Sequence, residues 1–278
     1  MGLLSPRLYN SPCDNQLLGI GLMNGAILFG LFTALTLGPF AQHAAPIHGH
    51  LYWEKRSPGH IVYSVQTTKK WVALTFDDGP NPRYTLPMMN ILDQQHAHAT
   101  FFVLGKLVRQ YPQIVKELAT HGHEIGNHTD QHLKMDKVSA ADITACDNAI
   151  LQVTGKRPQL LRPPGGGLSE HLVTVAEQTK HIIVMWSWNV DPRDWSQPGV
   201  QKIVDRVVKH VTPGTIILLH DGGGPRSQTV TALKEILLQL SKQGYQFVTI
   251  DQLLTEWKEY RPFPPDETHM SRKAPLGQ

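Results

Sequence analysis

From Trp71 onward, apolar runs of strand length alternate with stretches whose apolar residues recur at helical spacing, seven times in succession. Trp71–Phe76 precedes a helical pattern near Thr85–Gln95, and Thr100–Leu104 precedes one near Tyr111–Thr120 that Gly122 would close. Glu124–Asn127 precedes Ala140–Thr154, where Ser139 and Asp142 stand at the spacing of a capping box with Asp in place of Glu or Gln. Leu160–Arg162 then leads to Ser169–Thr179, Ile182–Trp188 to Val200–His210, Thr215–His220 to Thr229–Lys242, and Phe247–Ile250 to Gln252–Trp257. Seven strand–helix alternations predict an α/β fold, a parallel sheet covered by helices with most of its strands closing a barrel.

The two ends break this pattern. Leu17–Ala41 holds only Asn24, Thr33 and Thr36 as polar side chains, and a bilayer core takes about 20 apolar helical residues. Residues 1–41 are therefore expected to carry a single hydrophobic helix that anchors the chain in a membrane. Arg7 and the amino terminus in front of the run would leave the bulk of the chain outside the cell. A cleaved signal peptide is the alternative, with Gly38 or Ala41 as the cleavage point and Pro39 and Phe40 making a poor site; a buried core helix is the third. Residues 42–70 read as a polar spacer and lead-in, 71–257 as the folded domain, and 258–278 as a tail with too little apolar surface to fold.

Composition adds little to this. The 278 residues are 41% hydrophobic and 18% charged, as in a globular protein, and a net charge of +3 does not argue for nucleic acid. Cys13 and Cys146 fall on either side of the apolar run, so no disulfide joins them, and Cys146 sits on the apolar face Ile143, Cys146, Ile150, Val153 as a small buried hydrophobe.

In such barrels the chemistry sits on loops at the C-terminal ends of strands. Asp77 and Asp78 follow the first strand, His128 and His132 the third, Arg162 the fourth, and Asp191 and Asp194 the fifth, while His220 ends the sixth. All fall on one predicted rim. Two adjacent carboxylates become informative beside metal ligands, one holding the ion and the other polarising a water. His128 and His132, four apart, would share one face of a helical turn and reach one ion, and a carboxylate from elsewhere would complete a three-ligand site with open positions. His96, His98, His121 and His123 read as surface or packing residues. The glycines after Arg162-Pro163-Pro164 would bring backbone N–H groups close to a substrate oxygen, and neither phosphate-binding glycine signature is present.

The ordered set Thr75-Phe76-Asp77-Asp78-Gly79-Pro80, His128-Thr129-Asp130-Gln131-His132, Arg162-Pro163-Pro164-Gly165-Gly166, Asp191-Pro192-Arg193-Asp194-Trp195 and Leu218-Leu219-His220 resembles the five motifs of the polysaccharide deacetylases, carbohydrate esterase family four. The resemblance runs from about Trp71 to Trp257. It implies a distorted (β/α) barrel that removes acetyl groups from N-acetylated sugar polymers, with a divalent ion, usually zinc, held by Asp78, His128 and His132. By the same resemblance Asp77 is the general base, His220 the general acid, Arg162 a clamp on the base and Asp194 the residue that orients His220. Trp195 and Leu218 wall the acetyl pocket. Many members carry an aromatic after Arg-Pro-Pro whose backbone N–H helps hold the oxyanion; here Gly165 keeps the donor and lacks the ring.

The partner implied is an acetylated polysaccharide, peptidoglycan or chitin-like, together with a membrane through the N-terminal segment. Rival readings are an O-acetyl ester or non-sugar amide hydrolase on the same fold, a glycan-binding member without activity, and a non-haem iron oxygenase. The last leaves the second aspartate without a task.

Overall fold

The computed structural model of the chain describes residues 49–263. Seven strands, β1 (Ile61–Val62), β2 (Trp71–Gly79), β3 (Ala99–Val103), β4 (Glu124–Asn127), β5 (Leu160–Leu161), β6 (Ile182–Val184) and β7 (Ile216–His220), pair in parallel in the order β1-β6-β5-β4-β3-β2-β7. Helices cover the sheet, which is why its strands are almost continuously apolar. β2 shows how the two faces divide. Val72, Leu74 and Phe76 join the core beneath the helices, whereas Ala73, Thr75 and Asp77 point the opposite way, into the concave interior.

The expectation of closure is corrected to a half-barrel. The outer strands β1 and β7 share no ladder; they approach through an isolated antiparallel bridge, Ser64 to Thr215, and a hydrogen bond from Val65 N–H to Gly214 O at 3.0 Å. β1 is two residues long and β6 three, too short to carry the sheet round.

The seventh strand is also not the expected one. Phe247–Ile250 contributes only β8 (Gln246–Phe247), which pairs off the main path with Trp71 and Val72 of β2. Its place is taken by β1, from the stretch read as spacer, in register with β6 through Ile61 opposite Ile183 and Val62 opposite Val184. Helix α1 (His50–Arg56) precedes it and buries Trp53, while Arg56 bridges Glu170 at 2.8 Å and Glu177 at 3.2 Å. The apolar run Ile61-Val62-Tyr63, broken by Ser64 and preceded by Pro58-Gly59-His60, is too short to stand out as a strand, so only the pairing reveals it. The first residues of the stretch read as tail pack on the domain: Phe263 stacks on His60 at 4.3 Å, and Arg261 N–H bonds Gly59 O. Expectations for Cys13, Leu17–Ala41, most of the spacer's start and residues 264–278 lie outside the described residues. Among those described, no helix is long and apolar enough to cross a membrane.

The remaining helices are α2 (Thr85–Asp93), α3 (Gly105–Gln110), α4 (Pro112–Thr120), α5 (Ala140–Thr154), α6 (Glu170–Gln178), α7 (Val200–Val208), α8 (Ser227–Lys242) and α9 (Ile250–Leu254). α8 buries Thr229, Ala232, Leu233, Ile236, Leu237 and Leu240, the three-and-four spacing of a core-facing stripe. Ser139 caps α5 as its spacing predicts, its hydroxyl accepting from Asp142 N–H at 3.2 Å. The pattern near Tyr111–Thr120 starts at Pro112, because a residue before proline is driven out of the helical region; Tyr111, at φ −130°, separates α3 from α4. Cys146 is fully buried.

Candidate active site

The C-terminal ends of β2, β4, β5 and β7, with the loops after β4, β5, β6 and β7, enclose a cleft of about 490 Å³. Eight of the ten sequence-predicted residues line it, Asp77, Asp78, His128, His132, Gly165, Trp195, Leu218 and His220, and the other two stand directly behind the wall, Arg162 behind Asp77 and Asp194 behind His220.

Adjacent strand residues ordinarily face opposite sides, yet Asp77 and Asp78 both reach this cleft. A shift of register between β2 and β3 makes this possible: Asp77 pairs with Phe102 while Gly79, two residues on, pairs with the next residue, Val103. The extra residue is Asp78, at φ +73°, the signature of a bulge that re-aims a side chain. Asp77 stays in register opposite His220 of β7, so the strand ladder itself sets the carboxylate and the imidazole side by side.

Asp77 is buried, and its Oδ1 accepts from Arg162 Nη1 at 2.9 Å. Arg162 follows β5 and crosses the interior to reach it. Its other donors go to Thr75 Oγ1 at 2.6 Å and to the carbonyls of Val184 and Met185, each at 2.9 Å, with the Phe102 ring 4.2 Å beneath the guanidinium. Burial pulls the Arg162 pKa down and the Asp77 charge pulls it back up, leaving it below its ordinary value. Four hydrogen bonds hold the charge in place and leave one oxygen of Asp77 free to face the cleft.

Asp78 Oδ1 lies 3.1 Å from His132 Nε2 and 3.5 Å from His128 Nε2, and the three ligand-type atoms fall within 4.8 Å of one another. Ligands 2.0–2.1 Å from a tetrahedral ion stand about 3.4 Å apart, so the cluster fits one divalent cation. His128 Nδ1 faces the Arg162 carbonyl at 2.7 Å, the outer hydrogen bond that fixes ring orientation and leaves Nε2 as the ligand atom. Burial pushes the Asp78 carboxyl up, but hydrogen bonds from His128 and His132 outweigh it and hold it far below the usual range. Burial likewise lowers His128, and the charges of Asp77 and Asp78 raise it above its ordinary value.

The helical turn expected at His128–His132 is not there. Thr129 (φ +69°) and His132 (φ +59°) are left-handed, so the two rings converge through a tight loop. The Asn127 side chain organises it, accepting from Thr129 N–H and donating to Ile143 O and Asp147, while Thr129 Oγ1 accepts from His132 N–H.

Across the cleft, His220 Nδ1 meets Asp194 Oδ1 at 2.7 Å, and Asp194 Oδ2 accepts from His220 N–H at 3.0 Å and Thr229 Oγ1 at 2.8 Å. Burial lowers the His220 pKa, and the Asp194 hydrogen bond together with the charges of Asp194, Asp77 and Asp78 more than offsets it, leaving it raised. Leu218 is buried in the wall, Trp195 stands half-exposed at the rim, and Gly165 is left-handed at φ +68° within the turn Pro164–Gly166.

Several lining residues escaped the sequence reading: Trp186, Trp188, Gly223 and Arg226. The last two belong to Asp221-Gly222-Gly223-Gly224-Pro225-Arg226, directly after His220, and that run of glycines was the available signal. Asp221 is buried below it, accepting from Thr85 Oγ1; burial and the nearby Asp78 and Asp77 charges push its pKa up to about 7. A second cavity, at the opposite ends of the strands beside Glu124 and Arg157, holds none of these groups.

A family model described as polysaccharide deacetylase matches residues 64–184. The peptidoglycan-N-acetylglucosamine deacetylase of Bacillus cereus is 45% identical over 207 residues, covering 72% of this chain and 96% of the relative. The chitooligosaccharide deacetylase of a Bradyrhizobium species is 34% identical over 205 residues, 66% of this chain and 90% of the relative. The crystal structure of a peptidoglycan N-acetylglucosamine deacetylase in complex with 4-naphthalen-1-yl-N-oxidanyl-benzamide superposes with a TM-score of 0.69 at 33% identity, covering 76% of this chain and 99% of that one. A shared half-barrel, five motifs converging on one cleft, and relatives matched over nearly their whole length make this chain a member of the polysaccharide deacetylase family.

Proposed function

We propose that the chain hydrolyses the acetamide of N-acetylglucosamine units in cell-wall or chitin-like glycans, leaving a free amine and acetate. The observation that carries this reading is the pair of charged couples, Asp77–Arg162 and His220–Asp194, standing on either side of the Asp78, His128 and His132 cluster in one cleft. Similarity to deacetylases named for peptidoglycan and for chitooligosaccharides supports the substrate class.

In this reading Asp78, His128 and His132 would hold the ion, and their nitrogen and oxygen donor set suits zinc. When bound there, it would supply Lewis-acid polarisation of the acetamide carbonyl and lower the pKa of a water. Asp77 takes the water's proton, its free oxygen facing the cluster and its charge kept in place by Arg162. As attack proceeds, the Gly165 backbone N–H donates to the developing oxyanion. His220, kept protonated by Asp194, gives its proton to the nitrogen, without which an amide nitrogen leaves badly. Leu218 and Trp195 enclose the acetyl methyl.

The reading also holds the domain outside the cell, tethered through Leu17–Ala41; the support is the apolar run itself. The test of function is acetate release from purified protein given peptidoglycan and N-acetylglucosamine oligomers, with and without chelator. Activity on either that vanishes with chelator and returns with added zinc is expected; chelator-resistant acetate release, or none from either glycan, would overturn it.

A further inference from the structure

Arg226 lines the same cleft, is only 3% exposed, and has no task in the chemistry above. Of its five N–H donors one is used, Nη1 to the adjacent Pro225 O at 2.9 Å, and Nε is buried with no partner. Among the described residues it forms no ion pair. The contrast with Arg162, which is as buried and spends its donors on four acceptors including Asp77, is direct.

None of the nearby acids among the described residues pairs with it. Asp77 belongs to Arg162, Asp78 to the two histidines, and Asp194 to His220 and Thr229; Asp191, in the cleft wall, accepts from Arg193 N–H, and Asp221 accepts from Thr85 through Oδ2 while its buried Oδ1 makes no bond, to Arg226 or to anything else. A desolvated guanidinium without a counter-charge is costly unless something brings one. Arg226 is the N-cap of α8, a 16-residue helix that supplies no side-chain cap and no acid in its own first turn, so α8 itself brings no counter-charge to the guanidinium. The place is close to the reacting centre on both sides: Gly223, three residues before, packs against Asp78, and Thr229, three residues after, bonds Asp194.

We propose that Arg226 is a specificity-determining residue that takes a carboxylate borne by the glycan, on the unit being deacetylated or its neighbour, and so favours acidic cell-wall strands over neutral chitin-like chains. The planar fork of parallel N–H groups matches a carboxylate in two bonds. This rests on the deacetylase reading, which it deepens by choosing between the two glycans.

Two tetramers of equal length test it: one of N-acetylglucosamine alone, and one alternating N-acetylglucosamine with N-acetylmuramic acid, its lactyl carboxylate free. For the full chain and for Arg226→Gln, kcat/KM for acetate release and the Kd of each tetramer by titration calorimetry are measured. Arg226→Gln is expected to lower the acidic-to-neutral ratio of kcat/KM about 10- to 100-fold, as loss of a charge-assisted hydrogen bond does, mostly through KM and with a parallel rise in the Kd of the acidic tetramer. Raising ionic strength should weaken the wild type on the acidic tetramer and leave the variant's ratio flat. Arg226→Lys, which keeps the charge and loses the fork, should lower the ratio several-fold and serves if the Gln variant does not fold.

An unchanged ratio and unchanged Kd, whether both substrates fall together or neither falls, overturns the proposal. If the wild type releases acetate from neither tetramer but binds the acidic one through Arg226, the deacetylase reading fails and this one stands.

Discussion

Asp194→Asn is the substitution that most sharply separates a structural carboxylate from one that holds a charge. Asp194 accepts three hydrogen bonds within its two oxygens: His220 Nδ1 at 2.7 Å on one, His220 N–H and Thr229 Oγ1 on the other. An asparagine of the same shape has one oxygen and one NH₂. With the oxygen toward Nδ1, the NH₂ faces the His220 backbone N–H; flipped, it faces Nδ1–H. Either way a buried donor meets a donor. A hydrogen bond to a charged group is worth about 1.5–3 kcal/mol, or about 10- to 150-fold at 1.36 kcal/mol per decade. The raised pKa of His220 fixes where that appears. A group raised in the folded state lends stability in full below its unfolded pKa and loses it as pH rises through the folded one. The acid is therefore missing first at high pH, and the alkaline limb of kcat should move downward. The rate deficit should be small near pH 5 and approach that ~10- to 150-fold factor above the wild-type limb, while the stability deficit shrinks as pH rises. The assay is acetate release from an N-acetylglucosamine oligomer across pH with melting followed in the same buffers. An equal rate deficit at every pH, with the limb unmoved, would refute the claim that Asp194 sustains the charge on His220.

Three further outcomes follow from the cluster. Asp77→Asn should retain metal by elemental analysis and lose about 10²- to 10⁴-fold in kcat, the usual share of a general base, whereas Asp78→Asn should lose metal and recover part of its rate with added zinc; the reverse pattern would exchange their roles. His128→Ala and His132→Ala should each lower bound zinc below one ion per chain, and full stoichiometry in both would put the site elsewhere. Gly223 sits at φ +70°, and a Cβ there would come within 2.2 Å of Asp78 Oδ2, so Gly223→Ala should weaken zinc affinity with little change in circular dichroism, and unaltered affinity would mean the loop yields freely.

Legibility followed the kind of signal each element carries. β2 and β3 are long apolar runs, and α8 has its stripe, so periodicity found them. β1 is two residues whose meaning lies in Ile183 and Val184, more than a hundred positions away. Site residues were legible because motifs keep their order, and the rim rule gathered them before any family was considered. The histidine pair was placed correctly for the wrong reason, since spacing of four suggests a helix and carries no trace of the left-handed Thr129 and His132. The glycine run after His220 marks a loop at the rim but says nothing of the side chain that follows it; Arg226 takes its meaning from a buried Nε without a partner, which only the structure shows.

The bulge at Asp78 has a consequence for how the site is lost. β2 is buried on both faces and hydrogen-bonded to β3 and β7 along most of its length, so its amides should exchange with deuterium only when the whole domain opens. The two aspartates thus have the lifetime of the fold itself. His132 does not: its side chain is 42% exposed and it hangs on a loop tied down by Asn127 and Thr129. On the proposed metal site, local opening there would detach one of the three ligands and leave the other two in position, so bound metal should exchange under conditions in which the β2 amides stay protected.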